Sequence, residues 1–204
     1  IHHSEWGRGI DTDRYRFNPA CRHEVIPHPH FGPMLSANAF LDRDDAARRL
    51  GLAVDRAPAL RIGVIGAPRK EKDLRLVARA VAQSDRDDIE LVIWSSSFTE
   101  DLPVDPRITA HVYESVDRSI YDLRLAACDA IALPFTGHTM LGTGTTADLV
   151  ATGTPGLATD WPYLRESLGD GRGLFRGRRL GVQRRHREQW AVHPRPEMLR
   201  DLVV

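Results

Sequence analysis

The stretch "LRIGVIG" (60–66) constrains the chain more than any other. Six compact, mostly β-branched or apolar positions ending in glycine match a strand buried on both faces. It is followed at once by "KEKDLRLVARAVAQS" (70–84), in which Leu74, Val77, Ala78 and Val81 recur at helical spacing. The alternation then repeats. "IELVIWS" (89–95) and "RITAHVY" (107–113) read as strands. "DRSIYDLRLAAC" (117–128) reads as a helix with Ile120, Leu123 and Ala127 along one face. "DAIALPF" (129–135) is a fourth strand, followed by a helix within 144–153, a strand at "PGLAT" (155–159), a short helix at 162–168 and a weak strand at 173–175. Strands separated by helical segments imply right-handed crossovers and an α/β fold with a doubly wound parallel sheet. Ligands of such sheets bind beyond the carboxyl ends of the strands, where the strand order reverses.

Three regions follow. Residues 1–59 are expected to be an extension and linker, irregular over the first forty residues, with one short helix in "DRDDAARRLGL" (42–52). Residues 60–175 form the sheet domain. Residues 176–204 form an arginine-rich tail, with eight arginines from Arg176 to Arg200. The opening "IHHSEWGRGI" has neither an initiator methionine nor an apolar signal core, so the sequence is expected to begin mid-protein.

Charge and cysteine content exclude several classes. Twenty-eight basic residues balance twenty-eight acidic ones, so no overall field favours nucleic acid. Two cysteines are too few for a disulfide framework, and a reducing cytoplasm is the expected location. No run approaches the ~20 apolar residues of a membrane span. The tail reads first as a solvated end and second as a basic contact with a membrane surface.

Two loops at the carboxyl edge carry the chemistry. In "IGAPRKEKD" (65–73), Gly66 ends a strand, and Arg69 and Lys72 stand at the mouth of a helix. Cations there oppose the helix dipole, a conflict that an anionic ligand would remove. In "PFTGHTMLGTGTTADLV" (134–150), Gly142 and Gly144 permit close backbone approach, and Thr143 and Thr145 can cap a helix or bond an oxygen. Asp148 lies a turn further on, placed to accept hydrogen bonds from vicinal hydroxyls such as those of a ribose. His138 in the same loop is a donor for a phosphate or sugar hydroxyl. Tyr113 and Val116, at the end of the third strand, are candidates for contact with a base ring. Trp161 in "TDWPYL" is either a cover for a ligand or a half-buried loop side chain. The "HPH" at 28–30 lacks the further ligands of a metal site and reads as linker. No nucleophile-elbow pattern supports a hydrolase, and catalytic residues are not assigned.

The order "VIPHPHF", "DDAARRLGL", "LRIGVIG", Lys72, "RLAACDAIALPF", "GTGTTADLVATGTP" and "LATDWPYLRESLGDGRGLF" resembles the C-terminal, donor-binding domain of GT-B glycosyltransferases, near the group 1/family 4 type. The resemblance covers about residues 24–175 and implies a Rossmann-like sheet. It implies that Lys72 pairs with the diphosphate of a nucleotide sugar donor and that Gly153 and Pro155 follow the donor-binding helix. By the same resemblance, Asp148 stands as the second acid of an E-x7-E pattern whose first acid falls at Met140, so the pattern is broken. "TGT" (143–145) resembles an "SGS"-like variant. The resemblance further implies transfer of a hexosyl group without cofactor or metal, and an N-terminal acceptor domain outside these 204 residues, leaving this portion inactive alone. Two alternatives stand beside it. One is a catalytically degenerate nucleotide-binding relative. The other is an unrelated Rossmann-like domain, although "GAPRKE" supplies no G-x-G-x-x-G.

Overall fold

The computed structural model describes residues 1–28, 32–54, 58, 60–97, 101–113, 117–136, 142–168 and 174–175. Its centre is a six-stranded sheet of β1 (Leu60–Ile65), β2 (Ile89–Ser95), β3 (Ile108–Val112), β4 (Ala130–Leu133), β5 (Gly156–Thr159) and β6 (Leu174–Phe175). The order is β3-β2-β1-β4-β5-β6, and every pairing is parallel. The order therefore reverses between β1 and β4, as in doubly wound folds. β1 runs beside β2 over six registered pairs but beside β4 over only two, Ile62↔Ala130 and Gly63↔Ile131.

Side-chain alternation along the strands divides the core in two. Leu60, Ile62 and Val64 of β1 face α3 (Leu74–Ala82), which buries Leu74, Val77, Ala78 and Val81 against them. Each of those Leu and Val side chains contributes roughly 1.5–3 kcal/mol of burial. On the other face, Ile65, Val92, Trp94, Ile131 and Leu133 pack with residues of α4 (Arg118–Ala126), α5 (Gly144–Thr152) and α6 (Pro162–Leu168). α2 (Arg43–Arg49) starts on the capping carboxylate of Asp42 and packs Ala46 and Ala47 against Leu123 and Ala127.

Two expectations change. The first forty residues are not irregular throughout, because Glu5–Arg14 form helix α1. Its sequence has no apolar stripe, and its start is fixed by partners instead. The Ser4 hydroxyl accepts from the Gly7 amide at 2.9 Å, and the Glu166 carboxylate accepts from the amides of Glu5 and Trp6. Trp6 then packs edge-on against Trp161 at 5.5 Å. In α4, Ile120 is exposed, whereas Asp122, Leu123, Arg124 and Leu125 are buried. That helix is wedged between the sheet and α2, so no single stripe describes it. Among the described residues, no helix is long and apolar enough to cross a membrane.

Candidate functional site

The chain leaves β1 through Gly66, whose φ of 112° lies in the region that glycine tolerates and other residues rarely adopt. It then turns back along the end of β4. The Asp73 amide donates to Pro134 O, the Thr136 amide donates to Glu71 O, and Lys72 bridges Phe135 in antiparallel sense. This hairpin-like lap partly fills the crevice at the reversal point. It also folds the Lys72 side chain inward: Nζ donates to Ile65 O at 2.7 Å, with Gly66 O at 3.5 Å. A side chain on residue 66 would begin 3.5 Å from that Nζ. α3 starts only at Leu74, with the Asp73 carboxylate accepting from the Leu76 amide. Lys72 thus sits before the helix mouth, not in it. Burial lowers its ammonium to about 8, and the neighbouring Arg69 charge adds to the shift.

The turn that contains Lys72 is closed by its amide donating to Arg69 O at 3.0 Å. Arg69 and the α5 entry Gly142, Thr143 and Gly144, more than seventy residues apart, line one cavity of about 440 Å³. His2, His3, Asp11 and His28 line its other side. His2 is buried between Asp11 Oδ2 at 3.1 Å and His23 Nδ1 at 3.0 Å, and His3 bonds Ile26 O through Nδ1. His28 packs its ring on His3. Apart from His28 of the "HPH" stretch, none of these N-terminal groups is signalled by a motif, since they reach the cavity through the tertiary placement of the N-terminal segment. Arg69 contributes a cation to the cavity wall and Asp11 a carboxylate that His2 engages, and the cavity is backed by the positive end of a nine-residue helix, which suits an anionic group.

Thr143 is the N-cap residue of α5, yet its side chain makes no capping bond. Its amide donates to the buried hydroxyl of Tyr163 at 3.2 Å. α5 ends at Gly153, which takes the left-handed conformation at φ 71°. Thr145 and Asp148 both contact Tyr121. Asp148 is buried, and Arg118 approaches its Oδ1 at 2.8 Å while also approaching Asp122 Oδ1 at 2.8 Å. Burial raises the Asp148 carboxyl, with the Arg118 hydrogen bond and charge opposing that rise. The carboxylate expected to face a ribose therefore already has a cationic partner. Asp122 in turn accepts from the Ser36 amide at 2.7 Å, tying the segment before β1 into the cluster.

At the end of β3, the Arg124 guanidinium lies 4.4 Å from the centre of the Tyr113 ring and 5.7 Å from that of Trp94. One face of Tyr113 is thereby taken by a side chain. His138 and Val116 lie outside the described residues. Arg118, Arg124 and Tyr163 were not foreseen from the sequence. Arg118 and Asp148 are thirty positions apart in no recognised spacing. Tyr163 follows a helix-starting proline like any buried aromatic.

No family model and no curated protein matches the sequence. The structure does match solved glycosyltransferases. HepE of Anabaena, in complex with UDP-glucose, superposes with a TM-score of 0.53 at 16% identity, over 74% of this chain and 42% of that one. Sucrose-phosphate synthase of Thermosynechococcus elongatus gives 0.57 at 16% identity, over 83% and 42%. The C-terminal domain of LpcC, a glycosyl transferase group 1 family protein of Francisella tularensis, gives 0.50 at 16% identity, over 66% and 73%. The matched region is thus less than half of the first two proteins. By these superpositions, the chain has the fold of the C-terminal domain of GT-B glycosyltransferases.

Proposed function

We propose that this chain binds the diphosphate of a nucleotide sugar and serves as the donor-side domain of a hexosyl-transferring glycosyltransferase. One observation carries the reading: Arg69 and the entry to α5 meet in one cavity at the carboxyl edge of the sheet. As the bond between sugar and diphosphate breaks, negative charge grows on the leaving phosphate. Helix amides and nearby cations stabilise that charge in a partly dehydrated site. Lys72, buried one turn away, is the second cation, and opening its bonds to Ile65 O and Gly66 O would redirect it to the ligand. Residues 60–175 act as the donor domain. Residues 1–59 form its extension, and a further domain presents the acceptor. The enzyme works in the cytoplasm, with the arginine-rich tail at 176–204 available to an anionic membrane surface.

Calorimetric titration with UDP and GDP, beside a radiolabelled sugar-transfer assay, tests this reading. Weak nucleoside diphosphate binding without transfer by this chain alone is expected, because closure of two domains aligns donor with acceptor. Absence of any binding to UDP or GDP would sink the reading. One observation favours a second reading, nucleotide binding without transfer: Asp148 is engaged by Arg118 and Tyr121. Transfer restored by adding an acceptor domain would remove that second reading.

A further inference from the structure

The entry to α5 is held by a closed ring of three hydrogen bonds. The Thr143 amide donates to Tyr163 Oη at 3.2 Å, and the Thr146 hydroxyl donates to Thr143 O at 2.7 Å. Thr146 Oγ and Tyr163 Oη lie 3.0 Å apart. A hydroxyl carries one hydrogen. That of Thr146 is spent on Thr143 O, so the Tyr163 hydrogen must point at Thr146 Oγ. The ring therefore runs one way, from Thr143 N–H to the Tyr163 hydroxyl, to the Thr146 hydroxyl, and back to the Thr143 carbonyl. All three residues are buried, Tyr163 completely. Members of a buried, unidirectional ring polarise one another, and removing one leaves buried groups without partners. The ring anchors the N-cap residue by its own amide and carbonyl, and it consumes the Thr143 amide, which is then not a ligand donor.

We propose that Tyr163 is a positioning residue for the anion site. Its hydroxyl fixes Thr143, and through it Gly144, the next α5 residue lining the cavity. The inference rests on the diphosphate reading above. Gly142 fits the same design: a Cβ there would lie 3.7 Å from Tyr163 Oη, so the loop already lies against the phenol.

The test is titration of the chain and of Tyr163→Phe, Thr146→Val and Thr146→Ser with UDP, pyrophosphate and uridine, alongside thermal unfolding. Tyr163→Phe and Thr146→Val should each weaken UDP and pyrophosphate about tenfold, and Thr146→Ser, which keeps the hydroxyl, should bind both as the parent does. Uridine binding should change less than twofold in all three, because the ring touches only the phosphate end. A lowered melting temperature with unchanged UDP affinity would overturn the inference and make the ring purely structural. Equal losses for uridine and UDP would overturn it too, as general loosening. Failure of the parent chain to bind UDP or pyrophosphate would instead remove the diphosphate reading, and this inference with it.

Discussion

The two ends of β1 each bury a cation, and they treat it differently. Near the amino end, Arg61 is fully buried and bonds Glu90 Oε2 at 2.6 Å, with Ala127 O and Ala53 O taking its other nitrogens. Asp129 accepts from the Arg61 amide and also pairs with Arg43 at 2.8 Å. Charge at this end is neutralised within the fold. At the carboxyl end, the bonds of Lys72 Nζ among the described residues go to two backbone carbonyls and to no carboxylate. Carbonyl dipoles solvate an ammonium but do not cancel its charge, and burial, with the Arg69 charge beside it, lowers the Lys72 pKa. A cation balanced inside the fold reads as architecture. One left to dipoles, at the edge where α/β sheets bind ligands, is the second cation of the proposed diphosphate site.

The largest expected effect lies at the architectural end. Arg61→Ala should cost about 3–5 kcal/mol in denaturant unfolding, since it strands a largely buried carboxylate and two carbonyls. A loss below about 1 kcal/mol would erase the contrast between the two ends.

Lys72→Met should behave in the opposite way. Removing a dehydrated charge while keeping the stem should leave stability within about 1 kcal/mol of the parent, or raise it. UDP affinity should fall about tenfold, near 1.4 kcal/mol. Lost stability with unchanged affinity would make Lys72 a second Arg61.

The finest test is by pH, where the two properties should move oppositely. Lys72 titrates near 8 in the fold and near 10.5 when unfolded. Between those values the unfolded chain binds more protons, so the Lys72 contribution to stability rises with pH. Binding a diphosphate favours the protonated ammonium. UDP affinity should therefore be level below about pH 8 and fall by at most tenfold per unit above it. Both trends should be missing from Lys72→Met. Parallel pH curves for the two proteins would place the charge that matters elsewhere.

Much of this was readable in the residues. The apolar runs at 60–66 and 89–95 became β1 and β2 with ends shifted by at most one residue, because both strands are covered on both faces. The four-residue stripe of α3 survived intact because that helix packs on one surface only. α1 was illegible because its stability comes from Glu166 and Trp161, about 160 positions away. The site divides likewise. The turn at 66–72 and the loop at 142–145 announce themselves through glycine, lysine and threonine after a strand. The inward fold of Lys72, the Arg118–Asp148 pair and the Tyr163 ring are decided by which elements meet in space.

The sparse register between β1 and β4 carries a consequence for hydrogen exchange. Six pairs tie β1 to β2 and five tie β2 to β3, but two tie β1 to β4. The β1–β4 seam joins segments almost seventy residues apart in the chain. Apart from the terminal β5–β6 pairing, which also has two pairs, this is the shortest ladder, and sheets part most easily there, in cooperative openings with their own free energies. The molecule should thus exchange its backbone protons in two blocks: a slow one comprising β1, β2 and β3 under α3, and a faster one comprising β4, β5 and α5. A nucleoside diphosphate held by Arg69 on one block and α5 on the other would clasp the seam, so it should slow the faster block toward the rate of the slower.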